Sequence, residues 1–388
     1  MSRFYSYINT AKTILSLYNG DIPFSSFLKN LFSKEKKYGS RDRRMISSLC
    51  YNYFRIGKAQ PDASGEERLL TGLFLCSDAP NEILQNEKPE WNEKIHLPLA
   101  QKILITGIDV ETIFPFISEL SAGIDINAFN ASFLIQPKLF IRLRPGKQSI
   151  VRKKLNVAKI DFEEISDNCL ALANATKLEE VADLNLEAVI QDMNSQRAGE
   201  LMTLANSDAS KNVWDCCAAS GGKSIMACDV LSHIKLTVSD VRQSIIQNLH
   251  KRFKEAGIKD YDSFIADLTN SKNIRKIVGD KKFDVIICDA PCSGSGTWSR
   301  TPEQLTFFKK NEIIKYNNLQ RSICTNTIPF LQKGGYFLYI TCSVFDRENE
   351  EIVEFIKQQF PLTLVKMELL KGCEMKADTM FAALFRFD

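Results

Sequence analysis

The sequence predicts an α/β protein, with a parallel sheet covered on both faces in its C-terminal half and a helical domain before it. Three observations carry the prediction. From about residue 212, short and evenly apolar runs alternate with amphipathic segments. The first 125 residues instead space their apolar side chains at three and four, the helix period. From about residue 135, strand-like and helical pieces alternate on a smaller scale. The expected division is a helical domain over 1–125, a small α/β linking subdomain over 126–205, and an α/β domain over 206–388.

The helical part rests on "FYSYINTAKTILSLY" and "DRRMISSLCYNYFRIGK", broken by "NGDIPFSS" and "PDASGEE". The linking part reads as a strand and turn in "KLFIRLRPGK", a short helix in "QSIVRKKLNVA", and strand material in "DFEEISDNCLALA". "NLEAVIQDMNSQRAGELMTLA" then runs from a short strand into a helix. In the last part, strands "NVWDCCAA", "KLTVSD", "SFIADLT", "KFDVIICDAP" and "GYFLYITCS" are each followed by a helical segment. Evenly hydrophobic strands in this rhythm predict a parallel sheet buried on both faces. Such sheets bind ligands outside the carboxyl ends of their strands.

Composition is that of an ordinary globular chain, 44% apolar and 25% charged, and no apolar run approaches the roughly 20 residues needed to span a bilayer. The N-terminus does not read as a signal peptide. Eleven cysteines cannot all pair, no Cys-x-x-Cys occurs, and there are three histidines. We therefore expect free thiols in a reducing cytoplasm and no metal site. The net charge of +3 hides a segregation. Residues 1–60 hold eleven Lys/Arg against three Asp/Glu, and residues 136–155 hold seven against none. Such blocks suit a polyanion, and a solvated basic face is the competing reading.

"WDCCAASGGKS" after the first strand of this domain allows a tight turn and close approach of backbone to a ligand. The following helix aims its amide-bearing end at the same place. The triphosphate pattern GxxxxGK[ST] fails, because Cys217 stands where its first glycine would be. The next strands end in Asp240, about 20 residues past the glycines and placed for ribose hydroxyls, and Asp267, near an adenine position. Each aspartate alone could be a helix cap. Together they suggest an adenosine-bearing ligand, and S-adenosylmethionine fits.

"DAPCSGSG" and "TCSVFDRENEE" then place Cys292 and Cys342 just past two further strand ends. With "WDCCAASGGKS", "VSD", "IADLT" and "VIQDMNSQ", these motifs resemble the RsmB/Sun family of RNA (cytosine-5) methyltransferases. The resemblance is strong over 185–388, and over part of 1–130 it is similar to the NusB-like domain of bacterial members. It implies a class I, Rossmann-like methyltransferase domain behind a NusB-like helical domain. It also implies that S-adenosylmethionine is held by Cys217, Ala218, Ala219, Ser220, Gly221, Gly222, Lys223, Asp240, Asp267 and Asp289. Ser220 stands where the family usually has proline, and "WSRTPEQL" is shorter than its usual arginine-rich loop.

Carbon 5 of cytosine is too weak a nucleophile to take a methyl group directly. A thiolate added at carbon 6 makes it an enamine. The resemblance makes Cys342 the attacking thiolate and Cys292 the group that assists release, with Asp289 on the ring's nitrogen edge. A DNA enzyme would attack with the Pro-Cys cysteine, leaving Cys342 unexplained. The expected partner is RNA, most of all 16S ribosomal RNA, with transfer RNA as the rival substrate and a silent RNA-binding assembly factor as the rival class. The chain is expected to act as a monomer.

Overall fold

Residues 3–205 and 209–388 are described by the computed structural model. The expected boundary at 206 lies outside the described residues. Contacts gather the chain into two units. One comprises the chain through Ser118, Asp125–Gln136 and Thr297–Lys309, and the other comprises Glu119–Ile124, Pro137–Gly296 and Lys310–Asp388.

The first unit is helical. Its longer helices span Arg3–Leu17, Phe24–Lys34, Ser40–Arg55 and Gly65–Cys76. Their three-and-four spacing becomes one core of Ile8, Ile14, Phe24, Leu49, Phe54 and Phe74, all 3% exposed or less. Burying each such side chain contributes roughly 1.5–3 kcal/mol. Arg55, from the basic N-terminal block, is buried. Its guanidinium donates to the carbonyls of Phe133 and Ile135, at 2.8 and 3.1 Å. The segment after the Pro-Cys motif, Thr297–Lys309, packs in this unit. Trp298 is buried there, with ring centroids 4.8 Å from Phe308 and 5.9 Å from Phe114.

In the second unit, β1 (Leu139–Leu143), β2 (Phe162–Ser166), β3 (Cys169–Leu172) and β4 (Ala188–Ile190) form a small antiparallel sheet in the order β2-β3-β1-β4. The large sheet holds β5 (Lys211–Asp215), β6 (Ile234–Asp240), β7 (Tyr261–Ile265), β8 (Phe283–Asp289), β9 (Leu331–Thr341), β10 (Leu362–Leu370) and β11 (Met380–Phe387). Its order is β10-β11-β9-β8-β5-β6-β7. The five strands read from the sequence pair in parallel. Two more follow them, since β11 runs antiparallel to both β9 and β10. The chain order 6-5-8 across β6, β5 and β8 is the switch point where such a sheet opens a crevice.

The sheet's central strands are covered on both faces, so side chains pointing either way from them are buried. Val285 and Ile287 of β8 join one core with Leu338, Ile340 and Leu384. Ile286 and Cys288 join the other with Phe337, Tyr339 and Phe385. This is a Rossmann-like α/β unit accompanied by a helical region. Among the described residues, no helix is long and apolar enough to cross a membrane.

One expectation about the basic blocks fails. Arg142 and Arg144, read as candidates for phosphate contact, turn inward. Arg142 is 4% exposed and pairs with Asp229 at 2.5 Å, and Arg144 pairs with the same carboxylate at 2.7 Å. Arg144 also donates to the carbonyls of Asn185 and Ala256, at 2.8 and 2.9 Å. Every position of β1 from Phe140 to Leu143 is buried, so Arg142 sits where only a buried partner makes an arginine tolerable.

Candidate active site

The glycine-rich turn leaves β5 at Asp215. Cys216 N donates to Ile287 O and Ala218 N to Ser239 O, both at 2.9 Å, so the turn is stitched to β8 and β6. Ala219 takes φ 45° and Gly221 φ 84°, both left-handed. A Cβ on Gly221 would lie 2.6 Å from Phe253, so sterics as well as φ require glycine there. The helix Gly222–Val230 starts immediately afterwards.

Asp240, at the end of β6, reaches this turn. It is 7% exposed and accepts from Ala219 N at 3.2 Å. It also accepts from Arg242, at 2.9 Å from the backbone amide and 3.0 Å from Nε. Asp267 follows β7 and is exposed. It accepts from Thr269 N and Oγ1 at 2.9 and 2.7 Å, a local turn of the kind aspartate often makes.

Lys223, in the first turn of the helix, is buried. Its ammonium donates to Ser195 Oγ at 2.6 Å and pairs with Asp289 at 3.3 Å. Ser195 lies in the quoted "VIQDMNSQ" element, but its role there was not legible without the fold. Asp289 ends β8 and is half-buried. Ala290 N then donates to Ile340 O at 2.9 Å, carrying the β8–β9 ladder to the doorstep of both cysteines.

Cys292 and Cys342 meet, with their sulfurs 3.3 Å apart. Both are half-buried. Their hydrogen bond, then burial, then the nearby charges of Cys342 and Glu348 hold the Cys292 thiol well above the usual cysteine range. Either sulfur can be the donor in this contact, so the two thiols can share one proton between them. The half-buried Tyr316, on the helix Asn311–Thr327, lies near the pair, and burial pushes its hydroxyl up. Helix period alone gave no sign of Tyr316.

Asp215 was quoted in the motif without a role. It is fully buried, and Ser224 Oγ donates to it at 2.6 Å. Among the described residues, no partner reaches its Oδ1. Burial pushes its carboxyl from 3.8 up to about 7. A folded-state value above the unfolded one means that the neutral acid stabilises the fold. That contribution is complete below the unfolded value and is lost as pH rises through about 7. Urea midpoints across this range should fall for the wild type relative to Asp215→Asn. Parallel curves would show that Asp215 titrates normally.

Spacing gave no hint of one further cluster. The sulfurs of Cys216, Cys217 and Cys288 lie within 4.8 Å of one another, joined by the fold from β5 and β8. Cys216 and Cys288 are fully buried in the apolar core beneath the turn, with Cys217 packed against them.

Residues 201–384 match the family model described as 16S rRNA methyltransferase RsmB/F. A ribosomal RNA small subunit methyltransferase B of Shewanella oneidensis is 31% identical over 223 residues, covering 56% of this chain and 50% of that protein. The probable enzyme of the same name from Bacillus subtilis is 27% identical over 242 residues, covering 57% and 51%. The chain thus spans about half the length, or less, of the curated relatives it matches. Among solved structures, PH0851 superposes with a TM-score of 0.72 at 17% identity, covering 98% of both chains. A methyltransferase homologue from Pyrococcus horikoshii gives 0.58 at 18% identity, covering 69% of this chain and 92% of that one. At these identities the superpositions speak for the fold. The sequence match runs through the glycine turn, both aspartate-ended strands and both cysteine loops, so the domain that carries this site belongs to the RsmB/F methyltransferase family.

Proposed function

We propose that the chain methylates carbon 5 of a cytosine in RNA, with S-adenosylmethionine as methyl donor and small-subunit ribosomal RNA as substrate. The observation that carries this reading is the pair of thiols 3.3 Å apart at the ends of the adjacent strands β8 and β9, with Asp289 leading into one of them. Two thiols sharing one contact suit a reaction that must first add a nucleophile to the ring and then expel it. In this reading Cys342 adds to carbon 6. Asp289, held by Lys223, grips the nitrogen edge of the ring as charge develops there. Cys292 assists the elimination that frees the product, in which the carbon-5 proton is lost to a base and the Cys342 thiolate leaves carbon 6.

The cofactor assignment rests on the donors at the turn. The start of Gly222–Val230, the left-handed turn before it and the Asp240 carboxylate suit a nucleoside with free ribose hydroxyls. Cys217, Ala218, Ala219, Ser220, Gly221 and Gly222 would line its approach, with Asp267 one strand further out. S-adenosylmethionine supplies the electrophilic methyl group. Asp240→Ala should weaken its binding by about 1.5–3 kcal/mol through loss of a charge-assisted contact. Calorimetry showing unchanged affinity would remove Asp240 from the ribose.

RNA contact falls to the exposed basic side chains of the helical unit, among them Lys29, Lys34, Lys36 and Arg44. The function is tested by incubating the protein with methyl-labelled S-adenosylmethionine and RNA from a strain lacking its gene, then mapping the product by bisulfite sequencing. Label at carbon 5 of one small-subunit cytosine is expected. Label in transfer RNA alone would move the substrate. Binding without label would favour an assembly factor.

A further inference from the structure

Glu348 is fully buried, six residues beyond Cys342. Its Oε2 accepts from the backbone amide of Ser293, the residue after Cys292, at 2.9 Å. Its Oε1 accepts from the hydroxyl of Ser343, the residue after Cys342, at 2.8 Å. Gln320, on the helix Asn311–Thr327, donates at 3.0 Å to Oε2 and at 3.0 Å to the carbonyl of Pro291, the residue before Cys292. The carboxylate therefore holds the Cys292 loop at Ser293 and the Cys342 loop at Ser343, and through Gln320 it is linked to Pro291 on the other side of Cys292.

We infer that Glu348 is a positioning residue for both thiols, a clamp whose span between Ser293 and Ser343 sets the contact between Cys292 and Cys342. The inference rests on the methyltransferase reading for its purpose, and on the geometry alone for its existence. An acid is a costly choice here. Its three side-chain partners are neutral, and burial raises its carboxyl above the usual range. Packing alone would be served better by an apolar side chain of similar volume. What an apolar residue cannot do is accept from an amide on one loop and a hydroxyl on another. The serines strengthen the tie. Ser343 Oγ lies 3.2 Å from Ser293 Oγ and accepts from Phe345 N at 3.0 Å, while Ser295 Oγ accepts from Val344 N at 2.9 Å.

The test separates reach from charge. Glu348→Gln keeps the span, with an oxygen for Ser293 and Gln320 and an amide that Ser343 can accept. Glu348→Asp keeps the charge and loses a methylene of reach. The first readout needs neither RNA nor cofactor. Diamide takes two electrons and two protons from the thiol pair, forming the Cys292–Cys342 disulfide and leaving the hydrazine, and peptide mass spectrometry measures the rate at that pair. Glu348→Asp should slow this crosslink about tenfold, the cost of one or two misplaced hydrogen bonds, and Glu348→Gln should stay within about threefold of wild type. The second readout is kinetic. Glu348→Asp should lower kcat about 100-fold, as a displacement of about 1 Å does, with KM for RNA little changed, and Glu348→Gln should restore most of it. Wild-type crosslinking in Glu348→Asp, or slow crosslinking confined to Glu348→Gln, overturns the clamp. A normal crosslinking pattern without methylation in any variant or in wild type would instead overturn the methyltransferase reading and leave the clamp standing.

Discussion

Cys292→Ala, incubated with S-adenosylmethionine and RNA, should accumulate a protein–RNA adduct that survives a denaturing gel, whereas Cys342→Ala should form none. Addition precedes elimination, so a defect in elimination traps what addition has made. Removing the attacking thiol should cut methylation at least about 1,000-fold, because without thiolate addition at carbon 6 the ring is too weak a nucleophile. In the structure the two sulfurs stand 3.3 Å apart, so the thiol that adds and the thiol that assists release can act on one ring. The double variant should show no adduct. An adduct in Cys342→Ala and none in Cys292→Ala would exchange the roles. No adduct in either, with methylation intact, would return both thiols to packing.

Gly296→Ala should be the most damaging single methyl group in the second unit. A Cβ there would lie 1.9 Å from the carbonyl oxygen of Thr379 and 3.1 Å from that of Cys342. The backbone is pinned on both sides, since Gly296 N donates to Cys342 O at 2.9 Å and Thr379 N donates to Gly296 O at 3.0 Å. The methyl group cannot be accommodated by rotating a side chain, because the neighbours are main chain. Either the Cys292 loop or the segment leading into β11 must move, breaking those two bonds. We expect a loss of about 3 kcal/mol from overpacking and unsatisfied buried groups. Methylation should fall further than stability alone explains, because the moved loop carries Cys292. Thermal unfolding together with single-turnover methylation below the midpoint checks this. A variant with a wild-type midpoint would show that the loop yields without cost.

The two effects differ in how visible they were beforehand. The five parallel strands were legible because short, largely apolar runs alternating with amphipathic helices mark a parallel sheet, a pattern that depends on nothing distant. Their carboxyl ends, and so Asp240, Asp289, Cys292 and Cys342, could be assigned to one edge from topology alone. The hairpin of β10 and β11 was not legible. It follows the last strand–helix repeat, and its antiparallel pairing to β9 is decided by the partner. Arg142 and Arg144 looked like a phosphate-binding stripe because charge in a sequence carries no direction. Asp229, 85 residues beyond Arg144, turns them into a buried ion-pair cluster.

By itself, the sequence determined the layered α/β plan, the tight turn at Gly221, and the chemistry of two thiols at neighbouring strand ends. Each depends on local pattern or on residue type. Only the tertiary structure decided that the sulfurs stand 3.3 Å apart, that Lys223 is shared by Ser195 and Asp289, and that Glu348 joins two loops. It also decided that Gly296 is a contact of main chain with main chain. These are distances between residues tens or hundreds of positions apart, set by how strands and helices pack, and no periodicity along one chain encodes them.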